Sequence, residues 1–348
     1  MSTMSSGALE ILQPGIGTTV QDQGRVGHRH QGVPQSGWLD VPLARAAHAL
    51  VGNTGDEALL ELRGVGTSLL VQSGPVRVAL AGEIHATCQL HDGRNLQLPA
   101  WQSFTLQTGE RLSLGLATSS CAYMAVAGGI DLQAQLGSRS AYGRAGLEGL
   151  LGRGLLPGDV LPCGAWSANL TECRAPTPWV HREGPVRVIA GPQQDHFTAQ
   201  ALQLFEQTVW QATHEQDRMG LRLRGDELTH INPAAADTIS DAVTPGVIQV
   251  PASGQPMVLL AESQTVGGYP KIATVIRADL PRLAHLKPGS TIRFEVVSLV
   301  QARQALLAQQ DDWLQWRDHL ELFMPAGQLD ETILYNNNLV SGIWLAEP

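Results

Sequence analysis

Short stretches in which apolar and polar residues alternate recur along the chain, separated by turn residues. In the first half they predict β-strands at residues 67–71, 76–80, 103–107, 111–116 and 122–127. In the second half they predict strands at residues 247–250 and 257–260. Many short strands with few helices favour β-barrel-like domains over a doubly wound α/β fold.

Helical spacing is found in only a few places. Apolar residues three and four apart predict a helix over residues 42–51, with Asp40 as its N-cap. Three further helices are predicted, at residues 197–208, 278–286 and 301–322. The last of them is either a terminal packing helix or a segment that docks on a partner, and the pattern after Pro325 is weak.

One short sequence occurs twice. Ser73-Gly-Pro-Val-Arg-Val78 returns as Glu183-Gly-Pro-Val-Arg-Val188, and each copy predicts a strand entered from a Gly-Pro turn. A length of 348 residues also favours two domains. We therefore predict β-rich units over residues 8–180 and 183–300, followed by a C-terminal helical extension over residues 301–348.

Composition and charge narrow the function classes. Hydrophobic residues make up 43% of the chain and charged residues 16%, which is typical of a globular protein. The net charge is −9 and the 23 Lys and Arg residues are scattered, so we expect no nucleic-acid partner. The first residues lack a signal-peptide pattern and no apolar run is long enough to span a membrane. A cytoplasmic protein without membrane contact is the expectation.

Common signatures of metal and nucleotide sites are absent from the sequence. The 4 cysteines have no C-x-x-C spacing, so we interpret them as reduced thiols rather than disulfides or zinc ligands. His28 and His30 lie on a predicted loop and are interpreted as exposed imidazoles, so no metal site is predicted. Without a G-x-x-x-x-G-K-[ST] loop, any nucleotide binds unconventionally or on a partner protein.

Charged residues lie between glycines near the N-terminus. Asp22 and Arg25 fall within the glycine-bounded residues 17–27. Glycines let the backbone approach a ligand closely, and charged groups there can anchor a carboxylate or a phosphate. The alternative is a solvated turn with a local Asp–Arg pair. Ser36 lies in the next turn and is either a ligand of the same site or part of the turn that leads into the helix.

Two polar segments in the second half complete the candidate chemistry. In Asp217-Arg-Met-Gly220, Arg218 either contacts an anion or pairs with Asp217. Residues 262–271 follow a predicted strand and surround a Gly-Gly pair, which suits recognition of a polar small molecule. Their donors are Gln264, Thr265, Tyr269 and Lys271. We predict Lys271 on an exposed loop as an anion clamp, and a plain β-turn is the alternative.

These segments, in this order, resemble the family known as the C subunit of 5-oxoprolinase, allophanate hydrolase subunit 2, KipA or biotin-dependent carboxyltransferase domain. The resemblance covers roughly residues 8–300. Its motifs include Thr18-Thr-Val-Gln-Asp-x-Gly-Arg-x-Gly27, Gly32-Val-Pro-x-Ser-Gly37, Leu50-Val-Gly-Asn53, Leu136-Gly-Ser-Arg-Ser140, Asp217-Arg-Met-Gly220 and Gln264-Thr-x-Gly-Gly-Tyr-Pro270.

The resemblance implies a mainly β (α+β) fold of two cyclophilin-like β-barrel domains with a few peripheral helices. It implies the C subunit of an ATP-dependent 5-oxoprolinase, which helps open 5-oxo-L-proline to L-glutamate. Its partners would be a KipI-like protein (the B subunit) and a LamB/YcsF-like protein (the A subunit). ATP would be the co-substrate of the complex, and the chain alone would be inactive.

Two other activities of the family stay open. One is a biotin-dependent carboxyltransferase module that acts on a urea-like amide. Because the chain has no Ala-Met-Lys-Met segment, it would carry no bound biotin, which would arrive on another protein. The other is a KipA-like regulatory binding protein.

The polar segments described above and the family motifs together give the candidate site residues. Lys271, Gln264 and Tyr269 are the candidate catalytic residues. Candidate ligands of a substrate or phosphate are Asp22, Arg25, Ser36, Asn53, Arg139, Arg218 and Thr265.

Overall fold

The computed structural model of the chain describes residues 4–146, 153–167 and 171–323. Short strands dominate these residues. The strands are β1 Met4–Ser5, β2 Ala8–Pro14, β3 Thr18–Gln21, β4 Leu59–Leu62, β5 Thr67–Ser73, β6 Val76–Ala81, β7 His85–Gln89, β8 Asn95–Pro99, β9 Ser103–Leu106, β10 Arg111–Leu114, β11 Ala122–Val126, β12 Val160–Pro162, β13 Trp166–Ser167, β14 Glu172–Arg174, β15 Val186–Ala190, β16 Trp210–Gln216, β17 Gly220–Arg224, β18 Asp241–Ala242, β19 Val247–Gln249, β20 Met257–Leu259, β21 Val266–Gly267, β22 Lys271–Val275, β23 Thr291–Ile292, β24 Phe294–Val296 and β25 Glu321–Phe323.

Helices are few among the described residues. The α-helices are α1 Val41–Val51, α2 Ala199–Gln207 and α3 Leu299–Asp318. The short 3-10 helices are Arg29–Gln31, Gly143–Ala145, Gln194–His196, Pro233–Ala236 and Leu280–His285. This content confirms the mainly β fold with a few helices. No helix in the described part of the chain is long and apolar enough to cross a membrane.

Two antiparallel sheets form the first half of the structure. One has six strands in the order β12-β2-β5-β10-β7-β8, and the other has five in the order β3-β4-β11-β6-β9. Alternating apolar side chains of both sheets meet in one buried cluster, which includes Leu9, Leu69, Leu112 and Met124. Burying this apolar surface is the main force that holds the two sheets together.

One eight-stranded sheet forms the second half, in the order β23-β16-β17-β20-β19-β22-β15-β24. Its pairs are antiparallel except for β15 and β24, which run parallel. β6 and β15, which contain the repeated Val-Arg-Val sequence, each begin directly after the Gly-Pro turn, as predicted. The domain boundaries themselves stay a prediction.

Helix α1 joins the two halves. Asp40 is its N-cap, as predicted, because its Oδ1 accepts a hydrogen bond from the Leu43 N–H at 2.9 Å. The buried face of α1 belongs to a core cluster that also contains Tyr123 of β11 and Val188 of β15. The polar groups near the start of α1 therefore lie where the two halves meet.

Helix α3 packs against the rest of the chain. Ser298 and Gln301 form a capping box at its N-terminus. The indole N–H of Trp313 donates to the Pro42 carbonyl at 3.2 Å, and that of Trp316 donates to the Thr177 carbonyl at 2.8 Å. These contacts favour the packing helix, and a segment that docks on a partner stays the untested alternative. The stretch after Pro325 lies outside the described residues.

Most predicted elements are confirmed with ends shifted by a few residues. The short helix predicted over residues 278–286 is also confirmed, as the 3-10 helix Leu280–His285. Pro281 has no backbone N–H and fixes its own φ, which suits the first turn of a short helix.

Candidate functional site

The polar segments singled out in the sequence meet along a line between the two halves. We call this line the polar seam; it joins residues 21–40, 61 and 138–140 of the first half to residues 218, 243 and 261–264 of the second. Arg29 donates from Nη2 to the carbonyl oxygens of Val243 at 2.6 Å and Gln264 at 3.0 Å. The Ser36 N–H donates to the Ala261 carbonyl at 3.1 Å. Segments far apart in sequence thus form one surface.

Arg218 is the central cation of the polar seam. Its Nε donates to Glu262 at 2.5 Å, its Nη1 donates to Glu61, and its Nη2 donates to the Gly37 carbonyl at 2.6 Å. Burial alone would lower the pKa of Arg218, but the carboxylates of Glu61 and Glu262 raise it above its usual range. Of the two alternatives for Arg218, the pairing with Asp217 is wrong, since Asp217 pairs with Arg144 at 3.2 Å. The guanidinium contacts of Arg218 tie the two halves together.

Asp22 and Arg25 are buried, which rules out the solvated turn. The Asp22 carboxylate accepts from the Ser138 hydroxyl at 2.5 Å, the Ser140 hydroxyl at 2.6 Å and the Arg139 backbone N–H at 2.5 Å. Arg25 donates to the Ser140 carbonyl. Burial lowers the pKa of Arg25, and the charges of Asp22 and Glu262 oppose that shift.

The motif around residues 136–140 points to Arg139, but the inward side-chain contacts are made by its neighbours, Ser138 and Ser140. The Arg139 side chain turns away from Asp22: it donates to the Leu132 carbonyl and forms an ion pair with Asp131 at 3.1 Å. Only its backbone N–H reaches Asp22. The sequence analysis did not identify Ser138 and Ser140, whose hydroxyls contact Asp22. The small side chain on each side of Arg139 was the available signal of close packing at this point.

Lys271 is not on an exposed loop, and that prediction is corrected. It is the first residue of strand β22, and only 3% of its surface is exposed. Its Nζ donates to Asp241 Oδ2 at 2.6 Å and to the Ala242 carbonyl at 3.4 Å. The strand begins immediately after Pro270, because β22 pairs with β19 and draws this end of the loop into the sheet.

Two further residues of this segment, Gln264 and Tyr269, contact Gln249, a fully buried residue of β19. The Gln264 side-chain amide donates to Gln249 Oε1 at 3.3 Å, and the Gln249 amide donates to the Tyr269 carbonyl at 3.4 Å. The Thr265 carbonyl accepts from the Val243 N–H at 3.1 Å. These hydrogen bonds hold the loop against β19 and Val243. The Tyr269 side chain is exposed and can contact a ligand or a partner.

Ser36 lies in a strained turn of the polar seam. It has a positive φ of 56°, and the next residue, Gly37, has a φ of 84°. A Cβ on Gly37 would lie 2.8 Å from the Gln23 backbone, so only glycine fits there. The Ser36 hydroxyl is buried and has no hydrogen-bond partner among the described residues. A buried hydroxyl of this kind is available to a bound molecule.

A groove of about 810 Å³ runs beside the polar seam, and Ser36 lines it. Its apolar wall includes Trp38, Leu39, Val41, Leu280 and Trp313. Arg45 and Arg277 also line it, and both are exposed without an ion-pair partner in the described part of the chain. Guanidinium groups bind carboxylates and phosphates, so the groove can hold a small anionic molecule.

Comparison with known proteins places this arrangement in a family. Residues 31–296 match the family model described as carboxyltransferase domain, subdomain A and B. The chain belongs to this family. The family resemblance predicted from the sequence is therefore confirmed over residues 31–296, which include most of the polar seam.

Individual members of the family resemble the chain closely. It is 36% identical over 318 residues to the C subunit of 5-oxoprolinase from Escherichia coli K12, a match that covers 90% of this chain and 99% of that protein. It is 33% identical to the C subunit of 5-oxoprolinase from Haemophilus influenzae, covering 84% of this chain and 93% of that protein. The solved structure of Kluyveromyces lactis urea carboxylase aligns at 26% identity with a TM-score of 0.78, covering 94% of this chain and 30% of that one.

In this carboxyltransferase-domain chain, Asn53 makes its contacts away from the polar seam. Its amide donates to the Val126 carbonyl at 2.8 Å and lies 3.0 Å from His48 Nδ1, and its carbonyl accepts from the Gly128 N–H at 2.9 Å. Burial lowers the pKa of His48 to about 4, so this imidazole is neutral near pH 7. These contacts join the end of α1 to the end of β11.

One cluster of titratable groups was missed altogether. Asp40 Oδ2 lies 2.5 Å from His181 Nε2 and 2.6 Å from His285 Nε2. Burial alone would raise the pKa of Asp40, but both imidazoles hold it well below its usual range. The two histidines are 141 and 245 positions from Asp40, so no local motif could have revealed the cluster.

Proposed function

We propose that this chain is the C subunit of an ATP-dependent 5-oxoprolinase, and that it helps open 5-oxo-L-proline to L-glutamate in a cytoplasmic complex. The observation that carries the proposal is the 36% identity to the Escherichia coli protein over 99% of that protein's length. ATP is the co-substrate of the complex. A KipI-like protein (the B subunit) and a LamB/YcsF-like protein (the A subunit) supply the remaining parts of the site.

The chemistry of the site supports this proposal. Opening a lactam through a phosphorylated intermediate develops negative charge on the amide oxygen and on the transferred phosphate. Lys271, Gln264 and Tyr269 are the proposed stabilisers of that charge, because they offer an ammonium, an amide and a hydroxyl around one loop. The groove beside the polar seam, which Arg45 and Arg277 line, suits the carboxylate of the lactam. The residues that keep the surrounding backbone in place are Thr265, Asp22, Arg25 and Arg218.

An exposed apolar patch beside this loop supports a partner protein. We define the edge patch as Ile239, Val266 and Tyr269. Ile239 is 91% exposed, and the other two side chains are also exposed. The short strands β18 and β21 pair with each other and hold the patch next to Lys271 and Asp241. Clustered exposed apolar side chains are typical of protein interfaces. We propose that the KipI-like protein binds here and closes the site.

Changing Ile239 to Asp should lower the affinity for the KipI-like protein at least tenfold. The new carboxylate would be desolvated at the interface without a partner. The melting temperature should hardly change, because substitutions of exposed side chains usually cost within about 0.5 kcal/mol. Affinity is measured by calorimetry on the two purified proteins. The matched control is Ile16→Asp, since Ile16 is similarly exposed on the first half. Wild-type affinity in Ile239→Asp, or equal losses in both variants, would contradict the edge patch as the interface.

The isolated chain should have no 5-oxoprolinase activity, and the mixture of all three proteins should be active. The reason is that no phosphate-binding loop of the common type occurs in the sequence. The assay follows phosphate release that depends on 5-oxoproline, together with glutamate formation. Turnover by the chain alone would reject the division of labour. An inactive three-protein mixture would reject the 5-oxoprolinase proposal.

The likeness to urea carboxylase favours one alternative. The Kluyveromyces lactis enzyme aligns over 94% of this chain, so the same architecture serves a protein named for carboxylation. A carboxyltransferase would need a biotinylated carrier protein and a urea-like acceptor. This alternative is tested in the same set of assays. A carrier protein charged with carboxybiotin is added to the chain, and transfer of the carboxyl group to urea is measured.

A further inference from the structure

We propose that Asp40, His181 and His285 form a binding site for a divalent late first-row transition-metal ion such as Zn²⁺. The site would join three separate parts of the chain: the N-cap of α1, the segment between β14 and β15, and the 3-10 helix Leu280–His285. It is independent of the proposed enzymatic function. One carboxylate oxygen and two imidazole nitrogens converge there, with all three ligand atoms within 4.8 Å of one another.

His285 Nε2 and Asp40 Oδ2 approach so closely that a proton or a metal ion must lie between them. His285 Nδ1 lies 3.0 Å from the Ser119 carbonyl oxygen, which can only accept, so Nδ1 carries a proton. In the neutral ring, Nε2 then presents its lone pair to Asp40 Oδ2 at 2.6 Å. Two lone pairs at that distance repel unless a proton or a metal ion lies between them. An imidazole that donates Nδ1–H to a carbonyl while Nε2 faces a metal is the usual arrangement of histidine ligands.

Asp40 is oriented for ligation by its role in the helix cap. Its Oδ1 accepts from the Leu43 N–H, which leaves Oδ2 directed at both imidazoles. His181 shares that oxygen, and its own Nδ1 is buried without a hydrogen-bond partner among the described residues. Asp40 Oδ2 has two lone pairs, so both imidazoles can bind to it at once. The same three atoms make a suitable set of ligands for zinc.

Modest movement is enough to admit the ion. Zinc–nitrogen and zinc–oxygen bonds of about 2.0–2.2 Å place tetrahedral ligand atoms roughly 3.3 Å apart. The observed distances are 2.5 and 2.6 Å, so the rings must retreat by less than about 1 Å. His181 can move most easily, because it lies outside any helix or strand. Both imidazoles are partly exposed, so water can provide a fourth ligand.

Calorimetric titration of tag-free, chelator-treated protein with ZnCl₂ tests the site. We expect one Zn²⁺ per chain with a Kd in the micromolar range or below, and a higher melting temperature with the ion. Co²⁺ should give the visible absorption bands of a tetrahedral complex. Changing His181 to Ala should raise the Kd at least about tenfold, since removing even a residue that only supports a metal ligand costs about 10- to 100-fold in affinity. Asp40→Asn should weaken binding similarly, because Asn still caps the helix but offers no anionic ligand.

The matched control is the double change of His28 and His30 to Ala. This pair lies two residues apart on the surface and has no contact with the cluster. It should bind Zn²⁺ with the wild-type Kd. Melting temperatures in the presence of chelator show that each variant folds, and His181→Ala is the safest of them because His181 caps no element. Absence of binding to the wild type, or an unchanged Kd in His181→Ala, would overturn the proposal.

Discussion

Replacing Lys271 with Met in the reconstituted complex should lower kcat by roughly 10²–10³-fold, with a much smaller change in KM. Losses of that size are typical when one stabiliser of transition-state charge is removed. An interaction made only in the transition state lowers kcat and kcat/KM together. Met keeps the length and packing of the side chain, which matters because Lys271 is buried in strand β22. Steady-state kinetics with 5-oxoproline as the varied substrate provide the measurement.

The ion pair of Lys271 supplies the control. Asp241 is 60% exposed at its side chain, so solvent screens the pair and the pair itself contributes little to stability. Asp241→Asn removes the pair but keeps the ammonium, and it should reduce kcat far less than Lys271→Met. Thermal unfolding checks that both variants fold. If the two variants lose the same activity, or if folded Lys271→Met keeps near-normal turnover, Lys271 supports the strand and takes no part in the reaction.

The strands and α1 could be predicted because their patterns are local. Alternation in residues 67–71 and 122–127, and the i, i+3, i+4 spacing after Asp40, record which side of each element faces the core. Because one side of each element must be buried, the pattern indicates a strand or a helix without reference to the elements that pack against it. The observed ends differ from the predicted ends by a few residues, because helix caps and strand pairing add or remove single residues. The capping box of Ser298 at the start of α3 is an example.

The burial of Lys271 could not be predicted from the sequence. Gly267, Gly268 and Pro270 indicate a turn, and a lysine after a turn is normally solvated. Its position depends on the ladder with β19, whose residues lie about twenty positions earlier. The sequence around Arg218 was similarly ambiguous, since its true partners, Glu61 and Glu262, lie 157 and 44 residues away. Long-range ion pairs leave no spacing rule in a single sequence.

The meeting of the polar segments was only partly foreseeable. Glycines around Asp22 and beside Tyr269 indicated close backbone approach, and both segments do lie near the polar seam. What the sequence could not provide is which side chains face inward. Arg139 faces outward and Ser140 faces inward, because adjacent residues of an extended segment point to opposite sides.

Replacing Arg218 with Met should destabilise the chain by about 3–5 kcal/mol, the usual cost of leaving a buried charge without its partner. Glu61 is completely buried and Glu262 nearly so, and the variant would leave both carboxylates without their shared cation. The Gly37 carbonyl would also lose its donor. Urea unfolding of the purified chain at pH 7 gives the difference in free energy.

Arg222 provides a matched control for Arg218 on the neighbouring strand, β17. It forms an ion pair with Glu215 at 2.9 Å, but both side chains are exposed. Arg222→Met should therefore cost within about 1 kcal/mol, because solvent screens exposed pairs. The contrast isolates burial, since the residue type is the same and the two positions are four residues apart. A loss below about 1 kcal/mol in Arg218→Met would mean that water reaches the two carboxylates, and that apolar packing of α1, rather than this cation, holds the two halves together.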